Sequence, residues 1–267
     1  MGAYGIIRRR RRAGALAAVV LLTGAALLAG CGGDPPAPEP TATPSGSAQP
    51  PEARAQLAAF AAAAQDRTLA GVYRFKADRR DRDVSLVISP DGSWRVDVPD
   101  LALGGTVDIA IVRNEIGLFQ CALPAADQPL SRTCVQIGGR DDEVPAAIDP
   151  KVQRPLVAVR HVLTQPGAPL AVSATSPLPG TTGSCFSVEN TTASVAAAVD
   201  PGIYCYDADG TLTGARLPYG DLVLAGPPGP APPTVELPGP VTDGKPLGMA
   251  APPTPTPTAT PSATPAG

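Results

Sequence analysis

Asp83 to Val98 reads DVSLVISPDGSWRVDV, and these sixteen residues decide the fold class. Val84, Leu86 and Ile88 alternate with polar neighbours, and Trp94, Val96 and Val98 alternate with Arg95 and Asp97. A period of two places each apolar set on one face of a strand. Between them, Pro90 fixes φ and Gly92 tolerates φ > 0, so Pro90-Asp91-Gly92 turns the chain. Two alternating runs joined by such a turn read as an antiparallel hairpin.

The same alternation extends in both directions. Upstream, Tyr73 and Phe75 alternate with Arg74 and Lys76. Downstream, Val107, Ile109 and Ile111 form a strand, Asn114-Glu115 turns, Ile116 to Leu123 returns, and Cys134 to Ile137 is a short further strand. Strands resume after Pro166 and Pro169 at Leu170–Ala174, Ser184–Val188, Ile203–Tyr206, Leu212–Leu217 and Leu222–Leu224, with Val235–Leu237 as a final candidate. Asp207-Ala208-Asp209-Gly210 reads as a hairpin turn. Two segments carry helical spacing instead. Glu52 to Asp66 is Ala-rich, with Leu57, Phe60, Ala61 and Ala64 on one face. After an Asp149-Pro150 start signal, Val152, Leu156, Val159 and Leu163 share a face, with Pro155 marking the start of the regular helix. About ten strands and two helices, mostly hairpin-connected, predict an α+β domain with an antiparallel sheet.

The flanks differ in composition. The chain has 267 residues with 34 Pro and 28 Gly. Positions 35–51 hold 7 of the prolines and 227–267 hold 14, which leaves only 13 for the 175 residues between them. One stretch of ordinary composition, long enough for one core, is thus bracketed by Pro-rich segments. Residues 31–51 read as a semi-extended tether, 52–240 as the folded domain and 241–267 as a disordered Pro/Thr-rich tail, whose composition also suits O-glycosylation.

Residues 1–30 carry an address. Arg8 to Arg12 are consecutive arginines, Ala13 to Ala29 is apolar, and Leu28-Ala29-Gly30-Cys31 follows. A basic segment, an apolar segment and small residues make a secretory signal peptide. A membrane-spanning anchor competes for the same residues, but this run is a little short of the roughly 20 residues a span needs. Positions 28–31 resemble the bacterial lipobox, which implies transfer of diacylglycerol to the Cys31 thiol, cleavage before it and frequent N-acylation, palmitate included. The expected location is the outer face of the cytoplasmic membrane, within the cell envelope, held by acyl chains. Removing the five arginines leaves 16 basic against 24 acidic residues, a net charge of −8. That charge speaks against nucleic acid and against electrostatic adhesion to anionic lipid.

Four other cysteines remain, Cys121, Cys134, Cys185 and Cys205. An even number in an exported chain argues for disulfides, and three pairings are possible. Cys121–Cys134 and Cys185–Cys205 are preferred, because each pair joins strands that are neighbours in sequence order. A metal site is disfavoured: there is no C-x-x-C, and His161 is the single histidine. No nucleophile elbow, phosphate-cradling glycine loop or complete calcium loop is present. Asp141-Asp142-Glu143 reads as a solvated loop and His161 as a structural residue off the apolar stripe. The expectation is a protein that is no enzyme and needs no cofactor.

One helix, a run of hairpins, a mid-chain helix and further strands, together with Cys185-Phe186-Ser187-Val188, Tyr204-Cys205-Tyr206-Asp207-Ala208-Asp209-Gly210-Thr211-Leu212 and the lipobox, resemble the bacterial lipoprotein-carrier-like superfamily of LolA, LppX and LprG. The resemblance covers about residues 52–240. It implies an incomplete barrel, a curved antiparallel sheet with the helices on its concave face, whose interior in several relatives holds acyl chains. Two cysteine pairs and a long tail are departures from the better-known members. On this reading the domain binds or transfers an acylated or other apolar molecule. The alternative is a non-catalytic cell-envelope interaction domain with no small-molecule ligand. Residues facing the interior would be Tyr73, Phe75, Leu86, Ile88, Trp94, Val96, Val107, Ile109, Ile111, Leu156, Val159 and Leu163, as a lipid-contacting lining or as plain core. The address generates a first prediction. Cells fed labelled palmitate should label the wild-type chain, and Cys31→Ser should lose the label entirely; a labelled Cys31→Ser chain would contradict the lipobox reading.

Overall fold

The computed structural model describes residues 50–77, 80–124, 131–192 and 199–251. The signal peptide, Cys31, nearly all of the tether and the end of the tail from residue 252 lie outside them. Helix α1 (Pro50–Gln65) precedes eleven strands: β1 (Leu69–Ala77), β2 (Arg80–Ile88), β3 (Trp94–Leu101), β4 (Val107–Arg113), β5 (Leu118–Leu123), β6 (Thr133–Gly138), β7 (Leu170–Thr175), β8 (Ser184–Asn190), β9 (Gly202–Tyr206), β10 (Leu212–Leu217) and β11 (Gly220–Leu224). All belong to one antiparallel sheet in the order β6-β5-β4-β3-β2-β1-β11-β10-β9-β8-β7. The chain therefore makes two meanders, β1 to β6 and β7 to β11. They are joined where β11 pairs with β1, Tyr73 opposite Leu224 and Phe75 opposite Leu222. β6 and β7 stand at opposite edges, so the sheet is broadly a curved one that does not close into a barrel.

The quoted hairpin forms as its residues dictate. Leu86 pairs with Val96 and Ile88 with Trp94. Gly92 sits at φ 80°, and the Asp91 carboxylate accepts from the Ser93 amide at 2.9 Å. Both cysteine pairs are disulfides between directly opposed residues, Cys121 and Cys134 on β5 and β6, Cys185 and Cys205 on β8 and β9. In the chain-entropy view, loops of this length stabilise by about 3 kcal/mol each.

Three expectations are corrected. The strands number eleven, and Val235–Leu237 is not among them. That segment runs irregularly over the sheet, with the Val235 amide donating to the Ser93 hydroxyl at 2.9 Å and its side chain packed on Ala110, Val112, Phe119 and the Cys121–Cys134 disulfide. The domain also continues past residue 240. The Cys134 amide donates to the Pro240 carbonyl, and the Leu103 and Gly104 amides donate to the Gly248 and Met249 carbonyls, each at 2.9 Å. Finally, Pro155 does not open a regular helix. Arg154–Ala158 is a π-type turn, and α-helix runs only from Val159 to Leu163. There the Val159 amide reaches the Arg154 carbonyl, five residues back, in place of the four-residue step of an α-helix.

From β6 the chain must reach β7 at the opposite edge, and residues 139–169 make that crossing. Val152, Leu156, Val159 and Leu163 are all buried, in one cluster with Ala53, Leu57, Ala61 and Ala64 of α1 and with the strand residues. Asp149 fixes the start. Its carboxylate accepts from the Lys151 amide at 2.8 Å, from the Gln153 amide nitrogen at 2.7 Å and from Arg154 Nε at 2.7 Å. Helix α1 is tied to the crossing and to β7: Arg54 donates to the carbonyls of Leu170, Gln165 and Ala168, and Gln65 to the Thr164 hydroxyl.

The Asp207–Gly210 turn between β9 and β10 docks under the end of α1. Gly210 has φ 84°, and a Cβ there would collide with the backbone of Ala63 and Ala64. Both the left-handed conformation and the close approach require glycine. Gly210→Ala should cost about 1–3 kcal/mol of stability, measured by denaturant unfolding; an unchanged midpoint would contradict the docking.

Candidate functional site

Two regions of the sheet can bear function, its helix-covered face and its opposite face. On the covered face, β1 to β4 present alternate residues inward because one register holds through four consecutive strands. All twelve of the candidate lining residues, from Tyr73 to Leu163, lie there, none more than 6% exposed, in a single apolar cluster. The structure thus brings together every interior residue that the alternation nominated. Phe60 and Phe186 add a ring contact at 5.9 Å, and Phe75 meets Tyr219 at 6.5 Å.

The space left between them is small. One cavity lies where α1 ends, lined by Leu69, Tyr73, Leu86, Ile88 and Leu156 together with Arg67, Arg160, Tyr206 and Thr211. Its volume is about 10 Å³, against the several hundred Å³ that ligand pockets offer. Of the twelve candidates only Tyr73, Leu86, Ile88 and Leu156 border it; the other eight pack against protein.

Of the polar residues of the covered face, Tyr73 was among the nominated twelve, and Arg160, Tyr204 and Tyr206 were not. Tyr73 Oη donates to the Leu212 carbonyl at 2.9 Å. Arg160 Nη1 donates to the Ala64 carbonyl at 2.6 Å, at the C-terminal end of α1, where the helix dipole favours a cation. Burial pushes the Tyr73 and Tyr206 hydroxyls well above the usual tyrosine range and lowers Arg160 from the usual arginine value. Alternation in Tyr204-Cys205-Tyr206 was the available signal: a disulfide on one face sends both tyrosines to the other. Beside them, Arg154 bridges Asp149 and Asp200, Tyr219 Oη donates to Asp200 Oδ2 at 3.1 Å, and Tyr204 Oη donates to the Asp200 carbonyl at 2.6 Å. Burial first, then the Asp200 charge, drives the Tyr219 hydroxyl upward. This network joins the crossing to β9 and to the turn between β10 and β11, and its parts are occupied with one another.

On the opposite face a half-open groove of about 350 Å³ lies between Val87 and Arg95 of β2 and β3 and the segment Pro232 to Glu236. Arg95 makes a two-pronged contact with Asp97, 2.6 and 2.7 Å. His161 is exposed. Among the described residues no group of three or more His, Cys, Asp or Glu could hold a metal ion, and no helix is long and apolar enough to cross a membrane.

Compared with models of known families and with curated proteins, the chain matches none.

The packing yields a direct test of the interior. Ile109 is fully buried in the middle of β4, paired with Val98 and Ala122. Ile109→Trp should overpack it and cost about 1–3 kcal/mol, read as a lower denaturation midpoint; a variant as stable as wild type would mean unfilled room beside β4.

Proposed function

We propose that this chain is a lipid-anchored protein of the outer face of the cytoplasmic membrane whose domain works non-catalytically, holding a cell-envelope partner on its surface. The observation that carries this choice is the filled interior. All twelve residues that would have to line an acyl-chain pocket are buried, and the one small cavity that four of them border has a volume of only about 10 Å³. An acyl carrier on the pattern of the lipoprotein-carrier-like superfamily needs an elongated apolar space, and in the reading proposed here helices over a concave face would close the interior rather than leave it open. The larger depression, about 350 Å³, is on the other face. It is mixed in character, with Val87 and prolines beside Arg95 and Glu236, which suits a protein segment better than a lipid tail. The anchor at Cys31 would keep the domain at the membrane while leaving its surface free for a partner.

Two measurements separate this reading from the carrier. Native mass spectrometry of the protein from its own host should show the polypeptide with its covalent acyl groups and no further lipid. Photo-crosslinkers placed in living cells at Val87 or Arg95 should each give one discrete protein adduct, and one at buried Ile109 none. A non-covalent lipid retained in the native spectrum, or no adduct from either surface position, would overturn the proposal.

A further inference from the structure

The small cavity beneath the end of α1 has polar groups within an apolar interior, and three of its polar atoms lack partners. Arg67 Nε, Tyr206 Oη and Thr211 Oγ1 are each shut off from solvent with no hydrogen-bond partner among the described residues. All three belong to residues that line this one cavity. A buried polar atom left unpaired costs about 1–3 kcal/mol, and such orphans are rare enough that each calls for an explanation. Three around a single hole call for an occupant.

Its chemistry follows from the groups. A guanidinium nitrogen only donates, and both hydroxyls can donate. The nearby acceptor, the Leu212 carbonyl, already takes the Tyr73 hydroxyl. Arg67 Nε therefore needs an acceptor, and both hydroxyls can donate to that same acceptor. Charge points the same way. Arg67 is paired with Asp209 at 3.0 Å. Arg160, which also lines the cavity, has no carboxylate partner among the described ion pairs and donates only to the carbonyls of Ala64 and Val157. The end of α1 offsets part of its charge, roughly half a unit, and the remainder is positive. Size sets the last limit, since so small a cavity admits a monatomic ion and excludes phosphate, sulfate or an acyl carboxylate.

We propose that this cavity binds one small monovalent anion of the size of chloride, held by Arg160, Arg67 and the hydroxyls of Tyr206 and Thr211. The anion would complete the contact between α1, the Asp207–Gly210 turn and the crossing, and so act as a structural ligand of the covered face.

The test compares the purified full-length chain in sodium chloride and in sodium gluconate at equal ionic strength, by scanning calorimetry. A ligand that binds only the folded state raises the midpoint, and a rise of about 2–4 °C in chloride is expected for a domain of this size. Tyr206→Phe keeps the ring and removes one donor, so its two midpoints should coincide; if that variant does not fold, Thr211→Val is read in the same way. In bromide-soaked crystals an anomalous peak should stand between Arg160 and Tyr206. Equal midpoints for the wild type, a chloride effect that survives in the variant that folds, or a cavity holding water alone would overturn the proposal.

Discussion

The pairing of β11 with β1 is the constraint on which the rest depends. It joins Tyr73 to Leu224 and Phe75 to Leu222, residues about 150 positions apart in the chain. Each meander alone is a run of local hairpins with one apolar face. Only this junction makes them one sheet, and it does so by placing β6 and β7 at opposite edges. The segment between β6 and β7 must then cross the whole sheet. Its apolar stripe, Val152, Leu156, Val159 and Leu163, is buried because that crossing lies on the apolar face. Loop closure of this length is entropically costly, though it grows only slowly with length, and the two disulfides offset part of it by stapling each meander locally.

Much of this architecture was legible in residues. Alternation located every strand, because a half-buried strand must repeat every two residues, and neighbouring hairpins predicted which cysteines meet. The junction itself was not legible, since β1 and β11 look like any other strands and nothing local says which two edges will join. The end of the domain was misjudged for a related reason. Residues 232–249 are rich in proline and glycine, the composition of a solvated tail, yet they are held by specific tertiary contacts. Val235 covers the outer face, Pro240 to Thr242 lie along β6, and Leu247 exchanges two hydrogen bonds with the Gln120 side chain. A chain without periodicity can still pack when a sheet edge offers it unpaired backbone. Ala110 and Val112, apolar on the face opposite Ile109 and Ile111, were the sign that something covers β4 there.

The candidate site divides in the same way. Period two identified the apolar interior residue by residue. It could not say whether that interior is filled, because lining and core have identical sequence patterns and differ only in the volume opposite them. Nor could it find Arg160 or Tyr206, whose significance lies in where α1 ends and where the Asp207–Gly210 turn docks, two places that only the folded chain brings together.

The topology also determines what could ever open this interior. The crossing is fixed at both ends, by β6 at one edge and β7 at the other, and by the contacts that Asp149, Arg154 and Asp200 make near its start. To lift from the sheet it would have to break those contacts and expose its buried apolar stripe. Helix α1 is different, for it is continuous with the sheet only through β1. Its packing face is three buried alanines, one buried leucine and the half-buried Phe60, a modest apolar area, and polar contacts supplement it: Arg54 to three carbonyls, Gln65 to Thr164 and Arg160 to Ala64. Polar contacts at a surface exchange readily with water and contribute little net free energy each. Any ligand admitted to the covered face therefore has one mover to displace, α1, and the group that resists it most directly is the one at its C-terminal end. There Gly210 lets the turn approach, Arg160 caps the Ala64 carbonyl, and the occupant of the small cavity would join the two.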